Sequence, residues 1–421
     1  MTKILILADD LSGAADCAGG CAAAGLDTLV LLEAAGARQT TTSVLAIDLN
    51  SRDKSPAAAG EAIARTIGQM REPGATILYH KIDSTLRGNW AHELVAARAS
   101  FAVAHGASPL ALVVPAFPAR GRITRSGRVL VTASRLLGAE ASAPAPMVAA
   151  GEVAAPLRER GLSVRILARP EVEAPAWRAA GLFDAIARSG VDAVVGDAES
   201  DCDLAAITAA ALAAHVPLLW VGSAGLMRAL AQILSRKAPA PPARPPTARG
   251  PLLFVVGSTS AVSRTQFERL IAEPGVAGFC VSPAEVRGAA SRLEAYLDGA
   301  RARGCDAALR LVGDSPLATP HDPSLVSALA DIVGPRLPGF GGLVATGGAT
   351  ARGLIEKAGY SAIALGGEVE AGVPWGLALR DVASGGIGLE GRGLPLVTKA
   401  GGFGDADTLL VCRKALKVSE T

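Results

Sequence analysis

The chain has 421 residues, of which 50% are hydrophobic, 19% charged and 4% aromatic, with a formal net charge of +2. That is a globular composition long enough for two or three domains, each with a core of its own. The near balance of charge and the scarcity of aromatic rings argue against the basic stripe and stacking platforms of a nucleic-acid binder.

In chain order, the apolar run over residues 4–8 reads as a buried strand. It is too short for the apolar core of a signal peptide, so a cytoplasmic location is expected. It runs into Asp9-Asp10-Leu11-Ser12-Gly13, two adjacent carboxylates followed by a small-residue turn and a helix. Like charges this close repel, so a cation, hydroxyl or metal is expected beside them, with Lys81 or Arg87 as candidates. A helix cap explains one of these carboxylates well and two less well.

A second strand is expected over 28–32 and a third over 44–47, the latter ending in Asp48-Leu49-Asn50-Ser51-Arg52, where Arg52 suits a bidentate carboxylate clamp. The strand over 76–79 leads to Lys81, Ile82, Asp83, Ser84, Thr85, Arg87 and Gly88, ahead of a helix from Trp90. Side chains at the carboxyl edge of an α/β sheet converge on a crevice. Fixed positive charge, adaptable hydroxyls and one carboxylate suit a small, anionic, hydroxylated ligand. A capped helix start with a surface ion pair is the alternative. His80, next to this cluster, reads as a strand residue satisfied by the backbone.

Further strands are expected over 110–114, 193–195 and 218–221. The two arginines of 115–122 rank second as ligand contacts, and the fold of 121–170 stays open. Residues 204–227 carry no formal charge and are long enough to span a bilayer. Pro217 and the turn at Gly222-Ser223-Ala224-Gly225 divide them into helix, strand and helix, so no membrane segment is expected. The alternation of strands and Ala-rich helices predicts βαβ units with a mostly parallel sheet.

Residues 236–251 hold a run of prolines among Ala and Arg, which reads as a stiff linker. The organisation expected is therefore a first α/β domain over 1–235, a Pro-rich linker over 236–250 and a second α/β domain over 251–421, with the active site in the interdomain cleft. Strand-like runs resume at 252–256, 307–312, 342–346 and 362–366 and close at 396–399 and 408–412. Gly257-Ser258-Thr259-Ser260 and Gly347-Gly348-Ala349-Thr350 each follow a strand and open a helix. Glycine lets the backbone approach a phosphate, and a helix start offers unpaired N–H groups. Together with 366–375 and Lys399-Ala400-Gly401-Gly402-Phe403-Gly404, they favour a nucleotide site. The P-loop, dinucleotide, H-E-x-x-H and G-x-S-x-G patterns are all missing. The six cysteines, Cys17, Cys21, Cys202, Cys280, Cys305 and Cys412, lack paired metal spacing and read as small buried hydrophobes.

Taken together, Ala8-Asp9-Asp10-Leu11-Ser12-Gly13, the run from Lys81 to Asn89, Pro115-Ala116-Phe117-Pro118 and the run from Gly366 to Trp375 resemble the four-carbon acid sugar kinases across nearly the whole chain. The resemblance implies an ATP-dependent kinase acting on the terminal 4-hydroxyl of threonate, erythronate or 3-oxo-tetronate, with magnesium. It implies a substrate set of Asp9, Asp10, Arg52, Lys81, Ile82, Asp83, Ser84 and Arg87; within that set Asp10, ahead of Asp83, is expected to orient and deprotonate the terminal hydroxyl. It implies an ATP set of Ser258, Gly347, Gly348, Ala349, Thr350, Gly366, Gly367, Glu368 and Gly401. Ser12, Ala349, Glu370-Ala371 and Gly402 depart from the family's usual Thr, acidic residue, Asp-Pro and Asn. Metal ligands and oligomeric state, a homo-oligomer included, stay open. A sugar-acid sensor without catalysis and an NAD-dependent hydroxy-acid oxidoreductase are the alternative readings.

Overall fold

The computed structural model describes residues 4–70, 77–132, 147–169, 181–235, 244–288, 290–312, 323–381 and 393–417. The chain divides into two compact units, the first holding the described residues through Ser235 and the second those from Arg244. Residues 236–243 of the expected linker lie outside the described residues, and 244–250 carry neither helix nor strand.

The first unit is built on β1 (Ile4–Ala8), β2 (Thr28–Leu31), β3 (Val44–Asp48), β4 (Ile77–Lys81), β5 (Leu110–Val114), β6 (Arg122–Arg125), β7 (Arg128–Thr132), β8 (Met147–Glu152), β9 (Val164–Leu167), β10 (Ala193–Gly196) and β11 (Leu218–Gly222). Eight of these form a sheet in the order β2-β3-β1-β4-β11-β5-β10-β9, every pair parallel. Strands β1, β2, β3 and β5 are buried along their whole length. Parallel strands covered by helices on both faces need continuous apolar runs of this kind. The chain steps outward from β1 to β2, returns to β3, then crosses to β4 on the other side of β1. Ligands of open α/β sheets bind where the strand order reverses in this way, beyond the carboxyl ends.

Local chemistry sets the helices that cover the sheet. Helix α1 (Leu11–Ala23) is capped by Asp10, and α2 (Pro56–Gln69) by Ser55 with proline at its first turn. Helix α3 (Trp90–His105) stops at Gly106, whose φ of 74° is the left-handed ending that glycine favours. The uncharged stretch folds as expected: α4 (Asp201–Leu212), with a Ser200–Asp203 capping box, then β11, then α5 (Ala224–Ser235). Among the described residues no helix is long and apolar enough to cross a membrane. The part of 121–170 left open by sequence contains an antiparallel sheet, β6-β7-β8, together with β9.

The second unit contains β12 (Leu252–Val256), β13 (Val276–Val281), β14 (Asp306–Leu311), β15 (Gly342–Thr346), β16 (Ala362–Glu370), β17 (Val373–Leu379) and β18 (Leu394–Lys399), in the order β13-β14-β12-β15-β18-β17-β16. The first five strands in that order are parallel, whereas β17 runs antiparallel to both neighbours. The order reverses at β12 and β15, which α6 (Ala261–Ile271) and α7 (Gly348–Lys357) follow.

Two expectations need correction. Residues 408–412, read as a strand, lie in helix α8 (Thr408–Leu416), because Leu409, Cys412 and Leu416 recur at helical spacing on its buried side. The cysteines are not uniformly buried: Cys17, Cys21 and Cys412 are, but Cys202 and Cys280 are exposed and Cys305 is half-buried.

Candidate functional site

The reversal point of the first sheet gathers most of the predicted polar residues. Parallel register sets Ala8 beside Asp48 on one side and beside Lys81 on the other, so the segments after β1, β3 and β4 leave the sheet at one level. Asp9 is 3% exposed. Asp10 turns into the helix start, where its Oδ1 accepts from the Gly13 amide at 2.8 Å. The polypeptide after β3 folds back on this edge, with the amides of Ser51 and Arg52 both donating to the Asp9 carbonyl, at 2.9 and 3.2 Å.

Arg52 supplies the cation that two adjacent carboxylates demand. Its Nε and Nη2 donate to Asp9 Oδ2 and Oδ1 at 2.7 and 2.9 Å, and its Nη1 to Asp10 Oδ2 at 2.5 Å. Lys81 and Arg87 were the expected partners. Arg87 instead donates to Asp83 Oδ2 at 2.5 Å, and Lys81 donates to the Ile82 carbonyl at 2.9 Å. Lys81 is still close: a Cβ placed on Gly13 would lie 2.7 Å from Asp10 Oδ1 and 3.0 Å from Lys81 Nζ. Ile82 is buried and anchors the turn by donating its amide to Gly222, while Ser84 is half-buried.

The carboxylates sit in different electrostatic surroundings. Burial pushes Asp9 up to about 6, the charge of Asp10 adding to this while Arg52 and Lys81 offset part of it. Burial would also raise Asp83, but Arg87, Arg52 and the Thr85 hydroxyl outweigh it and hold this carboxyl well below the usual range. Burial works against the charge of Arg52, yet Asp10 and Asp9 more than compensate and keep it protonated.

A stability test follows for Asp9. Because its folded-state pKa is raised above the ordinary 3.8, its stabilising contribution is complete below about pH 4 and is lost as pH rises through about 6. Asp9→Asn should therefore gain stability relative to the native chain across that window, by roughly 1–3 kcal/mol for a shift of about two units. Urea denaturation at pH 4 and pH 7 measures it; a difference independent of pH would count against the raised pKa.

Behind this edge lies a buried polar group that sequence reasoning missed. Glu93, fully buried on α3, accepts from the Ser51 hydroxyl and stands 3.1 Å from His80 Nε2. Burial would raise Glu93, but His80, Ser51 and Arg52 outweigh it and lower its pKa. The Nε2 of His80 is thus met by a side chain rather than by the backbone, while its buried Nδ1 has no hydrogen-bond partner. The group ties β4 to the turn carrying Arg52. Its signal was a charged residue at helical spacing from Trp90 and Ala97 and next to Leu94, on the buried face of α3.

In the second unit, register pairs Val256 with Thr346 and Thr346 with Lys399, so β12, β15 and β18 end together. Their turns interlock: a Cβ on Gly257 would fall 1.9 Å from Thr350 Oγ1, and one on Gly401 would fall 2.0 Å from Ser258 Oγ. Only glycine permits either approach. Ser258, Gly347 to Thr350 and Gly401 are thus brought to one sheet edge, with Gly347 at φ 100° opening α7. Gly366, Gly367 and Glu368 differ in setting. They lie within β16, a Cβ on Gly366 would meet the Trp375 ring at 2.1 Å, and Glu368 accepts from the Gly372 amide to close the β16–β17 hairpin. Among the described residues no group of three His, Cys, Asp or Glu side chains is arranged to hold a metal ion.

Comparison with known proteins matches both units to families. Residues 4–230 match the family described as a sugar-binding N-terminal domain, and residues 253–409 one described as a nucleotide-binding C-terminal domain. The chain is 40% identical to the D-threonate kinase of Cupriavidus necator, over 96% of each chain. It is 32% identical to the D-threonate kinase of Bordetella bronchiseptica, covering 98% of this chain and 97% of the relative. The 3-oxo-tetronate kinase of Methylobacterium radiotolerans is 28% identical over 95% of this chain and 96% of its own. Among solved structures, a Salmonella typhimurium protein superposes with a TM-score of 0.76 at 19% identity, over 99% of this chain and 100% of the other, a likeness of fold.

Proposed function

Since this chain belongs to the four-carbon acid sugar kinases, with a sugar-binding N-terminal and a nucleotide-binding C-terminal domain, we propose that it transfers the γ-phosphate of ATP to the terminal 4-hydroxyl of D-threonate. Support for this acid over its relatives comes from identity: 40% to a D-threonate kinase against 28% to a 3-oxo-tetronate kinase, each over nearly the full chain. The domain boundaries expected from sequence, 1–235 and 251–421, are retained in the proposal.

The observation that carries the mechanism is the Asp9–Arg52–Asp10 arrangement beside Lys81. Phosphoryl transfer asks the protein to align a hydroxyl with the γ-phosphate and to neutralise charge. Asp10 accepts the proton of the 4-hydroxyl as general base. Its side chain is 17% exposed and reachable, whereas that of Asp9 is 3% exposed. Asp83, bound by Arg87 and Thr85 and lowered in pKa, is too weak a base for the role. Arg52 holds Asp9 and Asp10 in place, so Lys81 and the exposed Arg87 are left to meet the carboxylate and hydroxyls of the acid.

Ser258, the Gly347–Thr350 turn and Gly401 receive the polyphosphate at the second sheet edge. Magnesium would neutralise phosphate charge, held chiefly through the polyphosphate that Ser258, the Gly347–Thr350 turn and Gly401 receive.

An ADP-release screen over both threonates, both erythronates and 3-oxo-tetronate tests the assignment. D-threonate should lead in kcat/KM by at least about tenfold, the equivalent of one misplaced hydrogen bond. A chain that leaves D-threonate unphosphorylated while turning over another acid would sink it.

A further inference from the structure

Lys399 ends β18 and is 1% exposed, an ammonium buried under a turn of small residues. Its Nζ donates to the carbonyls of Ala400, Gly401 and Phe403, at 3.3, 3.5 and 3.1 Å. Side chains at and within α6 reach the same turn. The hydroxyls of Ser260 and Ser263 donate to the Gly401 carbonyl at 2.8 and 2.6 Å, and Gln266 Nε2 donates to Phe403 and Asp405 at 3.2 and 2.5 Å. Every one of these donors is spent on a carbonyl of the 400–405 segment.

A peptide unit whose oxygen is drawn inward shows its N–H on the opposite side. A glycine turn with its carbonyls pinned becomes a concave run of outward amides, the arrangement that receives anions. Burying an ammonium is unfavourable unless its hydrogen bonds are met. Here they are met by the loop itself, which leaves a fixed positive charge directly behind it.

We propose that Lys399 is a positioning residue of the nucleotide site. It holds the Gly401-Gly402 turn with its amides toward the polyphosphate and reinforces that turn with its charge. The inference rests on the placement of the nucleotide at this sheet edge. Gln266 is the secondary anchor.

The test is titration calorimetry with ADP on Lys399→Met, which keeps chain length and removes the charge, and on Gln266→Leu, alongside separate KM values for ATP and D-threonate. Lys399→Met should weaken ADP binding by about tenfold to a hundredfold, the range expected for lost hydrogen bonds to a charged group. It should leave the D-threonate KM within about twofold, and Gln266→Leu should act in the same direction more weakly. Wild-type ADP affinity in Lys399→Met overturns the proposal, and so does a parallel loss of D-threonate binding, which would mark general damage. If Lys399→Met does not fold, Gln266→Leu decides by the same titration, an unchanged affinity counting against. A native chain that takes no ADP overturns the nucleotide placement as well, which separates the two failures.

Discussion

Asp10→Asn should lower kcat by about 10²–10⁴-fold, the usual contribution of a general base, and change the D-threonate KM far less. The substitution isolates proton transfer because it spares the other duty of the side chain. Asn is as good a helix cap as Asp, so its Oδ1 still accepts from the Gly13 amide at the start of α1. The Nδ2 amide then takes the place of Oδ2 and cannot accept from Arg52 Nη1, so that one contact is lost, while the two bonds from Arg52 to Asp9 keep the guanidinium in place. A thermal melt should therefore move little while turnover collapses. Native turnover in Asp10→Asn would remove Asp10 from the role, and Asp83→Asn, expected to act chiefly on the D-threonate KM, would become the variant to examine.

What sequence could reveal about this site follows the distance over which each interaction acts. Strands β1, β5, β12 and β15 match the apolar runs residue for residue, because burial on both faces of a parallel sheet leaves a continuous signal. The Lys81–Gly88 cluster was legible for the same reason: a strand end followed by polar residues is local. Pairing across the sheet was not. Arg52 lies 42 positions from Asp10, and nothing in its neighbourhood distinguishes a guanidinium that clamps the protein's own carboxylates from one that clamps a ligand. Gly366 and Gly401 read alike as phosphate turns. Contact with Trp375 explains the first and contact with Ser258 the second, and both are decided by strand order. The end of the chain failed differently, since Thr408 to Cys412 is too short a run to separate period 2 from period 3.6 until Leu416 is counted with it.

Removing Arg52 should be the most damaging single change in the first unit, because it leaves two neighbouring carboxylates, one fully buried, without their cation. Arg52→Met should destabilise the fold by about 3 kcal/mol, the range for breaking a buried ion pair from one side. It should also lower kcat/KM by about 10²–10³-fold as Asp10 loses its fixed position. The double variant Asp9→Asn/Arg52→Met separates these effects. With the buried charge at Asp9 removed, the one carboxylate left without its guanidinium is Asp10, which is the more exposed of the two, so most of the lost stability should return, a coupling a double-mutant cycle reads directly. Activity should not return with it, since Asp10 still has no guanidinium to hold it toward the hydroxyl. Arg52→Lys should fall between, because a single ammonium cannot span both carboxylates as the planar fork does at 2.7, 2.9 and 2.5 Å. If the double variant regained turnover along with stability, Arg52 would be a structural counter-ion alone, and the orientation of Asp10 would have to come from Lys81.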